Sequence, residues 1–191
     1  RQQYCVINNV QSKTKMITCG VPQGSVLGPV LFLLYINDLA NAVDKSKVRL
    51  FADDTGLYTY SRDFGSLLDS AKIEFRKLFK WCKLNKLTIN YSKTCFLLFH
   101  AKNKAVPDNF DHIEVDGIKI NRSVVTKYLG TFLGENLNWH AHIDHLCKSL
   151  IKYFGIFNKI RHFVTSKIAR QLYFAFIYSR ISYSIEVYRT C

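Results

Sequence analysis

At 191 residues, with hydrophobic residues at 48% and aromatics at 14%, the chain is long enough to bury a core and too apolar for a disordered segment. Lys and Arg number 27 against 14 Asp and Glu, a formal net charge of +13, which points to a polyanionic partner, nucleic acid ahead of an acidic membrane surface, with a merely soluble basic protein as the plain alternative. Six cysteines without a Cys-x-x-Cys pair argue against a disulfide framework and for reduced thiols in an intracellular protein, and the longest apolar run, residues 26–36, is shorter than the ~20 residues that cross a bilayer.

The chain opens at Arg1 inside strand-like sequence and so reads as part of a longer protein. Tyr4-Cys5-Val6-Ile7 and the stretch from Val10 to Ile17 flank Asn8-Asn9. Asparagine tolerates the positive φ of a two-residue turn, which predicts a β-hairpin. Next comes Gly20-Val21-Pro22-Gln23-Gly24-Ser25-Val26-Leu27-Gly28-Pro29. Its three glycines and two prolines set a backbone able to approach a ligand closely, and Gln23 offers both a donor and an acceptor. A simple strand-to-helix connection is the other reading. Pro29 suits a first helical position and Gly28 a cap, so a largely buried helix is expected from Pro29 to about Val43. Two adjacent carboxylates, Asp53 and Asp54, then lie between the apolar Val48-Arg49-Leu50-Phe51-Ala52 and the alternating Thr55-Gly56-Leu57-Tyr58. That pattern predicts strand, tight turn, strand, with the acids at the tip. Either they serve an ordinary turn, or a cation offsets their repulsion, and hard oxygen ligands favour Mg²⁺.

The ten-residue loop, the helix ending Tyr35-Ile36-Asn37-Asp38-Leu39 and the Phe51-Ala52-Asp53-Asp54 hairpin, in this order and at this separation, resemble the reverse transcriptase of non-LTR retrotransposons of the jockey-like kind. The resemblance implies an RNA-directed DNA polymerase that uses an RNA template, a DNA primer and deoxynucleoside triphosphates, with two Mg²⁺ ions in the complete site. It implies that Pro22, Gln23 and Gly24 lie against the template–primer and incoming nucleotide, that Asp53 is the principal metal ligand, and that Asp54 is its supporting carboxylate. The family draws a further carboxylate from an earlier palm strand. Residues 1–37 contain no Asp and no Glu, and Asp38 matches a helix-ending position, so the chain is expected to lack the first palm carboxylate and to be inactive alone.

Farther on, Leu67, Leu68, Ala71, Phe75, Leu78, Phe79 and Cys82 recur at helical spacing, predicting an amphipathic helix over residues 64–84 capped by Ser61 or Asp63. Asn90-Tyr91-Ser92-Lys93-Thr94 precedes a strand expected over residues 95–99, and the resemblance implies that Lys93 sits near the triphosphate as a general acid. Residues 101–109 read as an exposed loop. Asp116-Gly117 between Ile113-Glu114-Val115 and Ile118-Lys119-Ile120 is a hairpin signal. Residues 127–133 read as one strand, in which Tyr128-Leu129-Gly130 resembles the family's primer grip.

Two helices are expected over residues 139–160 and 165–188, the first with Ile143, Leu146, Leu150, Phe154 and Phe157 and the second with Ile168, Leu172, Phe176 and Ile177 on the apolar face. Lys148, Lys152, Lys159, Arg161, Lys167 and Arg170 decorate them, as in a thumb that grips phosphates, or as a solvated basic face. His140, His142, His145 and Cys147 are close enough to raise a zinc site, but no second ligand pair follows. The whole reads as α+β: a partial palm over residues 1–134, an antiparallel sheet with packed helices, then a small helical thumb over residues 135–191. A non-catalytic nucleic-acid-binding remnant is the rival reading, and a zinc-dependent interaction module a third. The resemblance further implies action at chromosomal DNA in the nucleus, with no membrane partner and no small organic cofactor.

Overall fold

The structure is a computed structural model, and it describes residues 2–18, 20–22, 24–101, 103–107 and 110–189. The chain forms two compact units, Arg1–Thr88 and Ile89–Cys191. Both mix helices and strands, so the α+β class holds. The strands do not join into one palm sheet: among the described residues they form four two-stranded ribbons and one three-stranded sheet.

The first unit begins with a ribbon. β2 (Val6–Ile7) and β3 (Val10–Gln11) pair across Asn8 and Asn9, whose φ values of +50° and +62° make the turn that asparagine permits. β1 (Gln2–Gln3) pairs with β4 (Lys15–Met16), with the register shifted by one residue relative to the hairpin. The second arm therefore carries a bulge, and Ser12 fills the gap, its Oγ accepting from the Cys5 amide at 2.9 Å.

Helix α1 (Gly28–Ile36) departs from expectation in two ways. Its cap position falls on Leu27 instead of Gly28, and it ends at Ile36, with a 3₁₀ turn over Asn37–Ala42 taking the chain to Val43. It is also not largely buried: Ile36 alone is buried in α1, while Val30, Leu31, Leu33, Leu34 and Tyr35 remain exposed. An apolar stripe on every face needs neighbours on every side, and this unit packs only the side that Ile36, Leu39 and Val43 share.

The core lies where that side meets β5 (Lys47–Phe51) and helix α2 (Phe64–Leu84), through Leu39, Val48, Leu68, Leu78 and Cys82. Each such aliphatic side chain contributes about 1.5–3 kcal/mol on full burial. α2 has the predicted bounds, and of the two proposed caps Asp63 provides it, its carboxylate accepting from the Ser66 amide at 2.9 Å. β6 (Asp54–Tyr58) completes the hairpin with β5.

In the second unit, β7 (Cys95–Phe96) runs parallel to β9 (Ile118–Arg122), which pairs with β8 (His112–Val115) across Asp116 and Gly117, at φ +52° and +77°. The strand expected over residues 95–99 is thus two residues long, and beyond it Leu98 goes into the core. Within the loop of residues 101–109, Lys102, Asp108 and Asn109 lie outside the described residues.

The single strand expected over residues 127–133 is instead a hairpin, β10 (Val125–Tyr128) and β11 (Thr131–Gly134), turning at Leu129-Gly130. Helix α3 (His140–Ile160) follows the predicted span, but its packed face is rotated: His142 and Leu150 are buried, whereas Ile143 and Phe154 are exposed. The last helix is broken. α4 (Ser166–Tyr173), capped by Thr165, runs through a π turn over Phe174–Tyr178 into α5 (Ser179–Ser182), and Tyr183 and Ser184 interrupt the chain before α6 (Ile185–Tyr188). Ile177 and Tyr188 are its buried residues, whereas Ile168 and Phe176 are exposed. Among the described residues no helix is long and apolar enough to cross a membrane.

Candidate active site

The Asp53-Asp54 hairpin is anchored at its base and open at its tip. Val48 buries one face of β5, and at the base the Ser46 and Thr59 hydroxyls lie 2.7 Å apart in a hydrogen bond. Phe51 pairs with Asp54, leaving Ala52 and Asp53 as the two-residue turn. Ala52 sits at φ +49°, left-handed backbone that an L side chain rarely adopts. Phe51, Ala52, Asp53 and Asp54 are all exposed. The expected strand, turn and strand are therefore present, with Asp53 in the turn and Asp54 opening the return strand.

Helix α2 holds the start of this hairpin through a residue that sequence reasoning missed. Glu74 is completely buried. Its Oε2 accepts from the Asp44 amide at 2.8 Å and the Lys45 amide at 3.0 Å, two residues ahead of β5. Its Oε1 accepts from Lys77 Nζ at 2.6 Å, and the same ammonium reaches Asp44 Oδ2 at 2.7 Å. Burial pushes the Glu74 carboxyl up, but the Lys77 hydrogen bond and the two amides outweigh it and hold the group below the ordinary carboxylate range. Lys77 is held above its usual value, first by Asp44 and then by Glu74.

The glycine-rich loop lies in the same unit. Pro22 and Gly24 are exposed, Gly24 at φ +84°, and Gln23 lies outside the described residues. The Ser25 amide donates to the Pro22 carbonyl at 3.1 Å, and Ser25 Oγ accepts from the Gly28 amide at 3.1 Å. A Cβ on Gly28 would lie 2.8 Å from that hydroxyl, so the residue first read as a cap is needed here for close approach.

Lys93 and residues 128–130 belong to the second unit. Lys93 is exposed in a turn closed by its own amide and that of Thr94, both donating to the Asn90 carbonyl at 3.1 Å. Leu129 and Gly130 occupy left-handed backbone, φ +46° and +84°, between Tyr128 and Thr131. Of the proposed zinc group, His142 Nδ1 accepts from the Phe132 amide at 3.5 Å and its ring packs on Tyr188 at 4.8 Å, while His145 packs on Phe132 at 4.7 Å. Among the described residues no three His, Cys, Asp or Glu side chains are grouped to hold a metal ion. Cys5, Cys82, Cys95 and Cys147 are free thiols.

Two exposed, adjacent carboxylates at a hairpin tip fit the way Mg²⁺ is bound in phosphate chemistry, by one or two carboxylates with substrate phosphates and water completing its shell.

Residues 1–137 match the family described as reverse transcriptase (RNA-dependent DNA polymerase). Among curated proteins, the chain is similar to three from Drosophila melanogaster. It is 28% identical over 134 residues to the probable RNA-directed DNA polymerase from transposon X-element, covering 68% of this chain and 14% of that protein. It is 27% identical over 153 residues to the RNA-directed DNA polymerase from mobile element jockey, covering 76% and 16%. It is 31% identical over 147 residues to the probable RNA-directed DNA polymerase from transposon BS, covering 72% and 16%. The chain thus spans 14–16% of the length of these relatives. No solved structure matches it significantly.

Proposed function

The chain belongs to the reverse transcriptases, with non-LTR retrotransposon polymerases as its relatives, and from that premise we propose that it carries part of a catalytic palm and a thumb for RNA-templated DNA synthesis in such an element. The observation that carries the proposal is the Asp53-Asp54 pair, exposed at the tip of a tight hairpin inside the family match. Asp53 is the principal metal ligand and Asp54 supports it. Magnesium bound there, as two ions in the complete site, supplies charge neutralisation at the triphosphate and a more acidic primer 3′-hydroxyl. The protein's own work is positioning. Pro22, Gln23 and Gly24 bring backbone and amide groups to the template and incoming nucleotide, Lys93 donates a proton to the departing pyrophosphate, and Tyr128, Leu129 and Gly130 hold the primer end. The basic helices of residues 135–191 grip phosphates, so binding weakens steeply with salt. The partners are RNA template, DNA primer and deoxynucleoside triphosphates, and the site of action is the nucleus.

Residues 1–37 supply no acid, and Asp38 lies exposed in the first turn of the 3₁₀ segment, where a carboxylate suits the start of a helical element. On this reading the site needs a further carboxylate to be complete. The same observation favours a second reading, a nucleic-acid-binding remnant without catalysis. The two separate by comparing this chain with a hybrid in which the residues preceding the matched stretch of the jockey relative are joined to its start. Mg²⁺-dependent primer extension on an RNA template by the hybrid and not by the chain supports the half-site. Binding of template–primer by both, with extension by neither, supports the remnant.

A further inference from the structure

The Leu129-Gly130 turn is unusual for its sequence. Hairpin turns with two left-handed residues favour asparagine, aspartate or glycine at the first place, as at Asn8-Asn9 and Asp116-Gly117. Leucine gains nothing there, since its side chain offers no local hydrogen bond to offset the conformation. A contact from outside the hairpin supports it.

Tyr183 does so from the broken helix. Its hydroxyl donates to the Leu129 carbonyl at 2.6 Å. Its ring lies over Gly130 so closely that a Cβ there would fall 2.9 Å from Tyr183 Cε1 and 3.2 Å from the hydroxyl oxygen. Gly130 is thus required twice, by its φ of +84° and by the ring. The break in the helix is what aims this side chain. α5 stops at Ser182, Tyr183 turns to extended backbone at ψ +122°, and Ser184 follows at φ +57°. Across the break the Tyr188 hydroxyl donates to the Ile181 carbonyl. Tyr188 itself packs on His142, which accepts from the Phe132 amide on β11. The contacts close a ring: β11 to His142, to Tyr188, to Ile181, through Tyr183 and back to the turn. Despite these contacts Tyr183 is 54% exposed, and Gly130 beneath its ring is exposed as well.

We propose that Tyr183 is a positioning residue for the primer terminus, holding the Leu129-Gly130 turn in its left-handed form; this rests on reading residues 128–130 as the primer grip. The test uses the full chain with Tyr183→Phe, which keeps the ring and removes the hydrogen bond, Gly130→Ala, which displaces the ring, and Tyr178→Phe as a control. Hydrogen exchange across residues 127–132 reports the turn. Fluorescence anisotropy compares an RNA–DNA duplex with a recessed primer 3′ end against a blunt one. The expected result is faster exchange in Tyr183→Phe and Gly130→Ala, with affinity for the recessed end falling about three- to tenfold while the blunt duplex is unaffected, the size of one lost hydrogen bond. Tyr178→Phe changes neither. Unchanged exchange in Tyr183→Phe overturns the lock. Faster exchange with both affinities falling in parallel, or with neither falling, overturns the positioning role and leaves a structural contact only. A wild-type chain with no preference for the recessed end overturns the primer-grip reading and the positioning role with it, while exchange still decides whether Tyr183 holds the turn.

Discussion

Glu74 and His142 are buried polar side chains that accept hydrogen bonds from neighbouring backbone amides. Truncating Glu74 to alanine removes the acceptor of the Asp44 and Lys45 amides and the partner of Lys77, and hydrogen bonds to a charged group contribute about 1.5–3 kcal/mol. Glu74→Ala is therefore expected to lower the unfolding free energy measured in urea by an amount in that range, and a change under about 0.5 kcal/mol, the usual limit for surface substitutions, would show that the turn before β5 holds itself. His142 titrates in the opposite sense to the usual paired histidine. Burial, and secondarily the nearby His145, hold it below its ordinary value, so it stays neutral and its Nδ1 accepts from Phe132. The unfolded chain takes up this proton near pH 6.5 and the folded chain does not, so the stabilisation is complete above about pH 6.5 and is lost as pH falls through the lower folded value. Melting temperature should drop on acidification from pH 7 to 5, and His142→Gln, which keeps an acceptor without a titrating ring, should flatten that profile. Parallel profiles would mean the acid sensitivity arises elsewhere. Neither residue was legible beforehand. A carboxylate among lysines on a helix reads as solvated, and His142 among other histidines reads as a possible ligand, because spacing does not tell which face will meet a neighbour.

Among the elements, those with a local cause were readable. α2 follows from its apolar spacing and the Asp63 cap, and two hairpins follow from asparagine and aspartate at left-handed positions. The elements that rest on distant contacts were not. Leu129-Gly130 turns because Tyr183, fifty-four residues away, holds it, and the break in the final helix that aims Tyr183 carries no local sequence signal. The Asp53 hairpin stands between these cases: its acids and strands were legible, but the turn falls on Ala52, without the usual residue for φ +49°. Left-handed backbone costs a β-branched residue more than alanine, so Ala52→Val is expected to destabilise the hairpin by about 1–2 kcal/mol, read as accelerated hydrogen exchange over residues 47–58. Exchange equal to wild type would mean that the turn relaxes out of this conformation.

At the scale of the whole molecule, two compact units carry the parts that the family resemblance assigns to one reaction: the Asp53-Asp54 hairpin and the glycine-rich loop in the first, Lys93 and the Tyr128-Leu129-Gly130 turn in the second. The membership was readable because the glycine-rich loop and the Asp53-Asp54 hairpin stand in order within the stretch that matches the family. The exposure of α1 was not, since an apolar segment declares a wish for burial without saying what supplies it. The account turns on Asp53 as a metal ligand in an incomplete site. The most direct test is the rate of Mg²⁺-dependent primer extension on an RNA template by the hybrid chain, with Asp53→Ala and Asp54→Ala beside it. The account predicts extension by the hybrid, its abolition by Asp53→Ala and a smaller loss with Asp54→Ala. Extension that survives Asp53→Ala would contradict it.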